Sequence, residues 1–208
     1  MRTVDPARRQ ARRRHIVNTA AELFAAKGFE RTTTAEICKA AGMSAGNLFH
    51  YFPNKRAIFH AVFEDEEHDS AAKAERLAAA RTADDPWTAL LDIVDLLAAP
   101  AAEPLVPALV MEAMIQAYRD PELEALLSRD NDEERATITG LLHDSAAAGQ
   151  IDPTLDPDDT AAWIMALIAA LYTSAATDPS FTPDAQLPTL RLILHRFLRP
   201  HTHEEPER

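Results

Sequence analysis

The sequence predicts an all-helical protein, on three observations. Alanine and leucine dominate, β-branched residues are sparse, and only 5 glycines occur in 208 residues. Such a composition favours helices over the β-branched strands of sandwiches and barrels. Helix starts are also written into the chain as Asp5-Pro6, Asp85-Pro86, Asp120-Pro121, Asp156-Pro157 and Thr182-Pro183. Each pairs a side chain that accepts a hydrogen bond from an orphan backbone N–H with a proline that has no N–H to orphan.

Taken in order, these signals predict nine helices, near 6–27, 34–41, 45–51, 55–80, 86–98, 104–118, 121–148, 157–177 and 183–199. The first opens at Pro6, carries the apolar stripe Ile16, Ala20, Leu23 and Phe24, and stops at Gly28. The second opens with a capping box, Thr33 as cap and Glu36 reaching back. Ser44 caps the third. The long fourth runs from a charge shift near Pro53–Arg56 into an acidic region and would couple the two parts rigidly. Pro104 and Pro107 disturb the start of the sixth, which would leave room for a cavity. The seventh has a stripe of Leu123, Leu126, Leu127, Ile138, Leu141 and Leu142, and Gly149 stops it. The eighth is apolar all round from Ala161 to Tyr172, and the ninth has a wide stripe of Leu187, Leu190, Ile193, Leu194, Phe197 and Leu198. A helix without a polar face needs cover on every side, so these two are expected to pair with their copies in a homodimeric four-helix bundle. Ordinary core packing is the competing account. The tail from His201 to Arg208 reads as disordered.

Charge divides the chain. The net charge is -12, but residues 1–56 hold 11 Lys and Arg against 4 Asp and Glu, while residues 57–208 hold 10 against 29. The basic end would face a polyanion and the acidic body would be repelled by it. Domains are therefore expected at 1–56 and 57–208. One cysteine, Cys38, excludes an internal disulfide framework and a cysteine-based zinc cluster. It is expected to be buried and unreactive. The longest apolar run, Ala161 to Tyr172, is short of the roughly 18 residues of a membrane span. No apolar segment follows the basic N-terminus as in a signal peptide. A cytoplasmic protein without membrane association is the expectation. No phosphate loop, nucleophile elbow or zinc-protease motif occurs, so neither an enzyme nor a cofactor is expected.

Residues 33–52 carry the function. Ile37, Ala41, Met43, Leu48 and Tyr51 fall inward on two short helices, Cys38 lets them touch, and Gly42 sits at a corner that needs positive φ. This is a helix-turn-helix, whose second helix can enter a DNA major groove. Ala45 and Gly46 at its start let the backbone approach base edges. Asn47 offers the donor and acceptor that match an adenine edge. Ser44 is a candidate DNA contact, Thr32, Thr33, His50, Tyr51 and Lys55 surround the helix as candidate phosphate contacts, and Arg8, Arg9, Arg12, Arg13 and Arg14 add charge upstream.

On these residues the first 65 or so positions resemble the TetR family of transcriptional regulators. The resemblance rests on Ile16 to Phe24, Gly28-Phe29, Thr32-Thr33, Ile37 to Ser44, Gly46 to Phe52 and Asn54-Lys55. Tyr118 to Leu123 and Gly149 to Asp152 look like regulatory domains of one branch. Cys38 stands where the family usually has alanine. Phe49 stands where a tyrosine often meets phosphate, and Ala45 where lysine or a polar residue is frequent. The resemblance implies a nine-helix TetR-like architecture and a homodimer paired through 157–177 and 183–199. It also implies a divergent ligand domain and repression of a near-palindromic double-stranded DNA operator, relieved by a small molecule.

Trp87, Met111, Glu112, Met114, Tyr118, Trp163 and Met165 are the candidate ligand-cavity residues, since methionine and aromatic side chains make adaptable apolar walls. Core packing is the competing account for each. Glu112 and the acidic body lean toward an apolar, neutral or cationic effector. His60, Glu64 and His68, with Asp65, share one helix face, but a solvated acidic face explains them better than a metal site, and no metal is expected. His201 and His203 are incidental.

Overall fold

The structure, a computed structural model, describes residues 6–64 and 67–199, and the side chains of 6–64 and 71–199. The expected cap Asp5, the metal candidate Asp65, the side chain of the metal candidate His68 and the tail histidines lie outside these. The described residues form ten α-helices and no strand. They are α1 (Pro6–Lys27), α2 (Thr34–Ala40), α3 (Ala45–Phe49), α4 (Lys55–Glu64), α5 (Glu67–Ala80), α6 (Pro86–Ala98), α7 (Val106–Ala117), α8 (Pro121–Ala147), α9 (Pro157–Thr177) and α10 (Pro183–Leu198). A 3-10 turn at Ala99–Ala102 follows α6. The count exceeds nine because the segment 55–80 is described as α4 and α5, on either side of residues 65–66.

Local chemistry sets most boundaries. Asp85 and Asp156 cap α6 and α9 by accepting from Thr88 and Asp159, with proline in the first turn of each. Thr182 precedes α10 but makes no side-chain cap bond, so there the proline alone marks the start. Gly149 takes φ +69 and ends α8; its N–H donates to Ala146 and that of Gln150 to Ser145, a Schellman closure. Pro107 lies in the first turn of α7, whose start shifts to Val106.

The chain divides into two compact units. One comprises Met1–Ser70 with Pro104–Ser128, the other Ala71–Glu103 with Arg129–Arg208. The first thus takes in α7 and the opening of α8, a return of the chain that the charge shift near residue 56 does not signal. Its core combines Ile16, Ala20 and Phe24 of α1, Ile37 and Leu48 of the helix-turn-helix, Ile58 and Phe59 of α4, Leu109 of α7 and Leu123 of α8. Phe59 packs edge-on against Phe24 and Phe63, with ring centroids 5.0 and 5.2 Å away.

The second unit buries Leu90, Ile93 and Val94 of α6, Ile138, Leu141 and Leu142 of α8, Ile164 and Ile168 of α9, and Leu190, Leu194 and Leu198 of α10. The Gly149–Asp152 segment closes it. Gln150 donates to Asp85 and accepts from the N–H of Trp87, while the N–H of Asp152 donates to the carbonyl of Leu198. Arg191 of α10 pairs with Asp95 of α6. By length and composition α9 is long and apolar enough to cross a membrane, as the core helices of soluble proteins also are. Its covered face is Ala161, Ile164, Ile168 and Leu171, whereas Trp163 is 67% exposed. The α10 stripe divides likewise. Leu190, Leu194 and Leu198 turn inward, while Leu192, Ile193 and Phe197 are 45–49% exposed.

Candidate nucleic-acid interface

The helix-turn-helix is fixed at three points. At its entry, Thr33 accepts from the N–H of Glu36 at 3.2 Å, and the Glu36 carboxylate accepts from the N–H of Thr33 at 2.9 Å. Lys27 donates to the same carboxylate at 2.5 Å. These contacts, the Lys27 bond foremost, lower the Glu36 pKa to about 2. At the corner, Gly42 takes φ +62, with Met43 N–H donating to the Cys38 carbonyl and Gly42 N–H to that of Lys39. A side chain at Gly42 would meet no neighbour, so strain alone selects glycine there. At the start of α3, Ser44 accepts from the N–H of Asn47 at 3.3 Å. Leu48 is wholly buried and anchors α3 from beneath.

This leaves Ser44, Ala45, Gly46, Phe49 and His50 exposed, with Asn47 and Tyr51 half-buried. Small residues therefore open the outward end of α3, followed by an amide. Ser44 serves as acceptor within the chain, so its O–H hydrogen can still meet a phosphate. Thr33 is exposed, but its hydroxyl is engaged with Glu36.

Two expected phosphate contacts have other duties. Thr32 has no exposed surface, and its hydroxyl donates to the carbonyl of Gly28 at 2.9 Å. It seals the end of α1 and its side chain cannot reach DNA. The Lys55 ammonium donates to the carbonyls of Phe29 at 2.6 Å, Thr32 at 2.9 Å and Glu30 at 3.4 Å. Lys55 also lies 4.2 Å from the centre of the Phe29 ring. It fastens the loop before α2 to the start of α4. On α1, Arg8, Arg9, Arg12 and Arg14 are exposed, while Arg13 turns over Phe52. Cys38 is buried.

The same unit holds a polar junction outside the expected site residues. Asp120 caps α8 by accepting from the N–H groups of Glu122 and Leu123, each at 3.2 Å. Arg56 of α4 grips it through two bonds of 2.6 Å, and the buried His60, one turn further on, meets it at 2.7 Å. An ionised carboxylate only accepts, so Nε2 of His60 carries the proton. The guanidinium and the imidazole hold the Asp120 carboxyl well below the usual carboxylate range. The available signal was Arg56 and His60 at i and i+4, with Asp120 inside the Tyr118–Leu123 stretch. His60 is thereby committed to Asp120, and Glu64 pairs with Arg13 at 3.8 Å.

The seven ligand candidates are divided between the two units. In the first unit, Met114 and Tyr118 are 57% and 91% exposed, and Glu112 accepts from Gln116. In the second, Trp87 is buried against His195 and Arg199, and Trp163 faces outward. Met111 and Met165 are half-buried, one in each unit. A cleft of about 240 Å³ beside Asp120, walled by Phe29, Phe59 and Arg119, is lined by none of the seven.

The arrangement is a basic paired-helix head with an open recognition helix, and comparison with known proteins decides its family. The family described as "Bacterial regulatory proteins, tetR family" matches residues 16–62. That described as "BetI-type transcriptional repressor, C-terminal" matches residues 86–199, more than half of the chain. The chain belongs to the TetR family. As a TetR-family protein it is a ligand-responsive, DNA-binding regulator of transcription. The HTH-type transcriptional regulator UidR of Escherichia coli (strain K12) is 27% identical over 148 residues, 71% of this chain and 72% of that protein. Salmonella enterica GusR superposes with a TM-score of 0.66 at 23% identity, over 95% of this chain and 99% of its own. A transcriptional regulator from Saccharomonospora viridis, in complex with choline, reaches a TM-score of 0.76 at 21% identity, over 90% of this chain and 98% of its own. Both structures share the TetR fold.

Proposed function

We propose that this TetR-family regulator is a cytoplasmic repressor that binds a near-palindromic operator as a homodimer and is released by a small apolar effector, neutral or cationic. Residues 1–56 read DNA, and residues 57–208 hold the effector and the dimer contact. The observation that carries the dimer is the apolar face that α9 and α10 leave uncovered, with Trp163, Ile193 and Phe197 each 45–67% exposed. Exposed apolar side chains on two helices of one unit suit an association site, and a second copy of the same two helices would complete a four-helix bundle.

Ser44, Ala45, Gly46 and Asn47 meet the operator from the N-terminal end of α3, with Asn47 reading a base edge and His50 and Tyr51 flanking it on phosphates. Thr33 and Lys55 shape that surface from behind. The choline-bound relative and the acidic body support the cationic end of the effector range. Such an effector acts only through its different affinity for the DNA-bound and released forms.

The test is selection of bound duplexes from a random pool by the purified protein. An inverted repeat supports the reading, and a pool without enrichment overturns it. Added choline, used as a probe of cationic effectors, is expected to weaken binding to the selected duplex and to leave a scrambled one unaffected.

A further inference from the structure

We infer that Asp120 is a positioning residue for DNA recognition: by clasping Arg56 and His60 of α4 it fixes the orientation of the helix-turn-helix that α4 carries. The inference rests on the DNA-reading role proposed above and adds a residue far from the reading surface. The carboxylate is filled on both oxygens. Oδ1 accepts from Arg56 Nη2 and from two α8 backbone N–H groups, and Oδ2 accepts from Arg56 Nε and His60 Nε2.

Two features show that this is more than a helix cap. A cap needs only the two N–H contacts, yet a buried imidazole and a two-pronged guanidinium converge on the same group from another helix. Paired N–H bonds of this kind fix an angle as well as a distance, which a lysine at position 56 would not do. Secondly, α4 is held on either side of Arg56. Lys55, next to Arg56, ties the loop before α2, while Ile58 and Phe59 enter the core. Rotation of α4 about the clasp would therefore carry the loop and α2 with it.

The clasp and a simple charge effect predict opposite signs. Asp120 is an anion in a unit that meets phosphate, so Asp120→Asn, by electrostatics alone, would tighten binding to any DNA. The clasp predicts that the same change weakens specific binding by about fivefold or more and leaves non-specific binding unchanged. Asparagine keeps an oxygen for the α8 cap, which favours folding of the variant.

The experiment measures anisotropy of the full-length protein on its selected duplex and on a scrambled one, with circular dichroism to confirm folding. Arg56→Lys and Arg56→Ala supply the second arm. The clasp predicts that lysine fails as alanine does and that Arg56→Ala and Asp120→Asn are non-additive. Near wild-type selectivity in Asp120→Asn, or rescue by lysine, overturns the inference. If Asp120→Asn does not fold, the lysine and alanine comparison alone decides. Absence of any selective binding by the wild type would instead refute the DNA-reading role itself.

Discussion

Lys55 donates to the backbone carbonyl of Phe29 across 2.6 Å, and the same ammonium lies over the Phe29 ring. A residue that reads from sequence as a phosphate contact is thereby the tie between α4 and the loop leading into the helix-turn-helix. Lys55→Ala should destabilise the folded protein by about 1.5–3 kcal/mol, the range for hydrogen bonds to a charged group. It should weaken all DNA sequences about equally, because the whole head loosens. Urea denaturation and the salt dependence of DNA binding check this together. Unchanged stability with a salt slope reduced by about one would make Lys55 a phosphate ligand instead.

Asn47 is expected to carry base selection, since it follows the small Ala45 and Gly46 on the exposed start of α3. Asn47→Ala should cost about 1–3 kcal/mol against the preferred base if the amide contact is two-pronged, and relax preference at one position of each half-site. A repeat of the duplex selection with the variant reads this directly. An unaltered motif would assign base reading to other residues.

Acid should attack the helix-turn-helix before the rest of its unit. The Glu36 carboxyl is held at about 2 against an ordinary 4.5, chiefly by Lys27, and that of Asp120 lies below its ordinary 3.8, chiefly through Arg56. A carboxyl with a lowered folded-state pKa stabilises fully above its unfolded value and loses that contribution as pH falls through the folded one. For Glu36 the loss runs from pH 4.5 to about 2. Thermal unfolding between pH 6 and pH 2.5 should decline less steeply in Glu36→Gln than in the wild type. Parallel curves would show that the capping box contributes no acid sensitivity.

The pattern of success and failure in the sequence reading has a physical cause. The capping box of Thr33 and Glu36, the Gly42 corner and the proline starts were legible because each is settled within about five residues by backbone hydrogen bonding. The family was legible for the same reason. Asp120 lies at least 60 residues from Arg56 and His60, so the i, i+4 spacing of those two alone did not announce the junction. The burial of Thr32 was not legible because a threonine hydroxyl suits a buried carbonyl as well as a phosphate. A ligand cavity is hard to read from sequence because apolar side chains look alike whether they line a pocket, fill a core like Trp87 or face outward like Trp163 and Tyr118.

The uncovered face of α9 and α10 makes a further prediction. Phe197→Glu combined with Trp163→Glu should leave the monomer folded, because both side chains are 49–67% exposed. It should abolish self-association. Sedimentation velocity should show a dimer for the wild type and a monomer for the variant, with operator affinity falling to that of a single half-site. A variant that still sediments as a dimer would move the interface elsewhere.

The central claim is that two recognition helices are held at one helical repeat by a fixed dimer, about 34–36 Å apart. The most direct measurement is affinity for the selected operator with base pairs inserted between its half-sites. An insertion of about five pairs puts the second half-site on the opposite face of the duplex and should reduce binding to the single-site level. Affinity indifferent to that insertion would contradict a rigid two-headed reader.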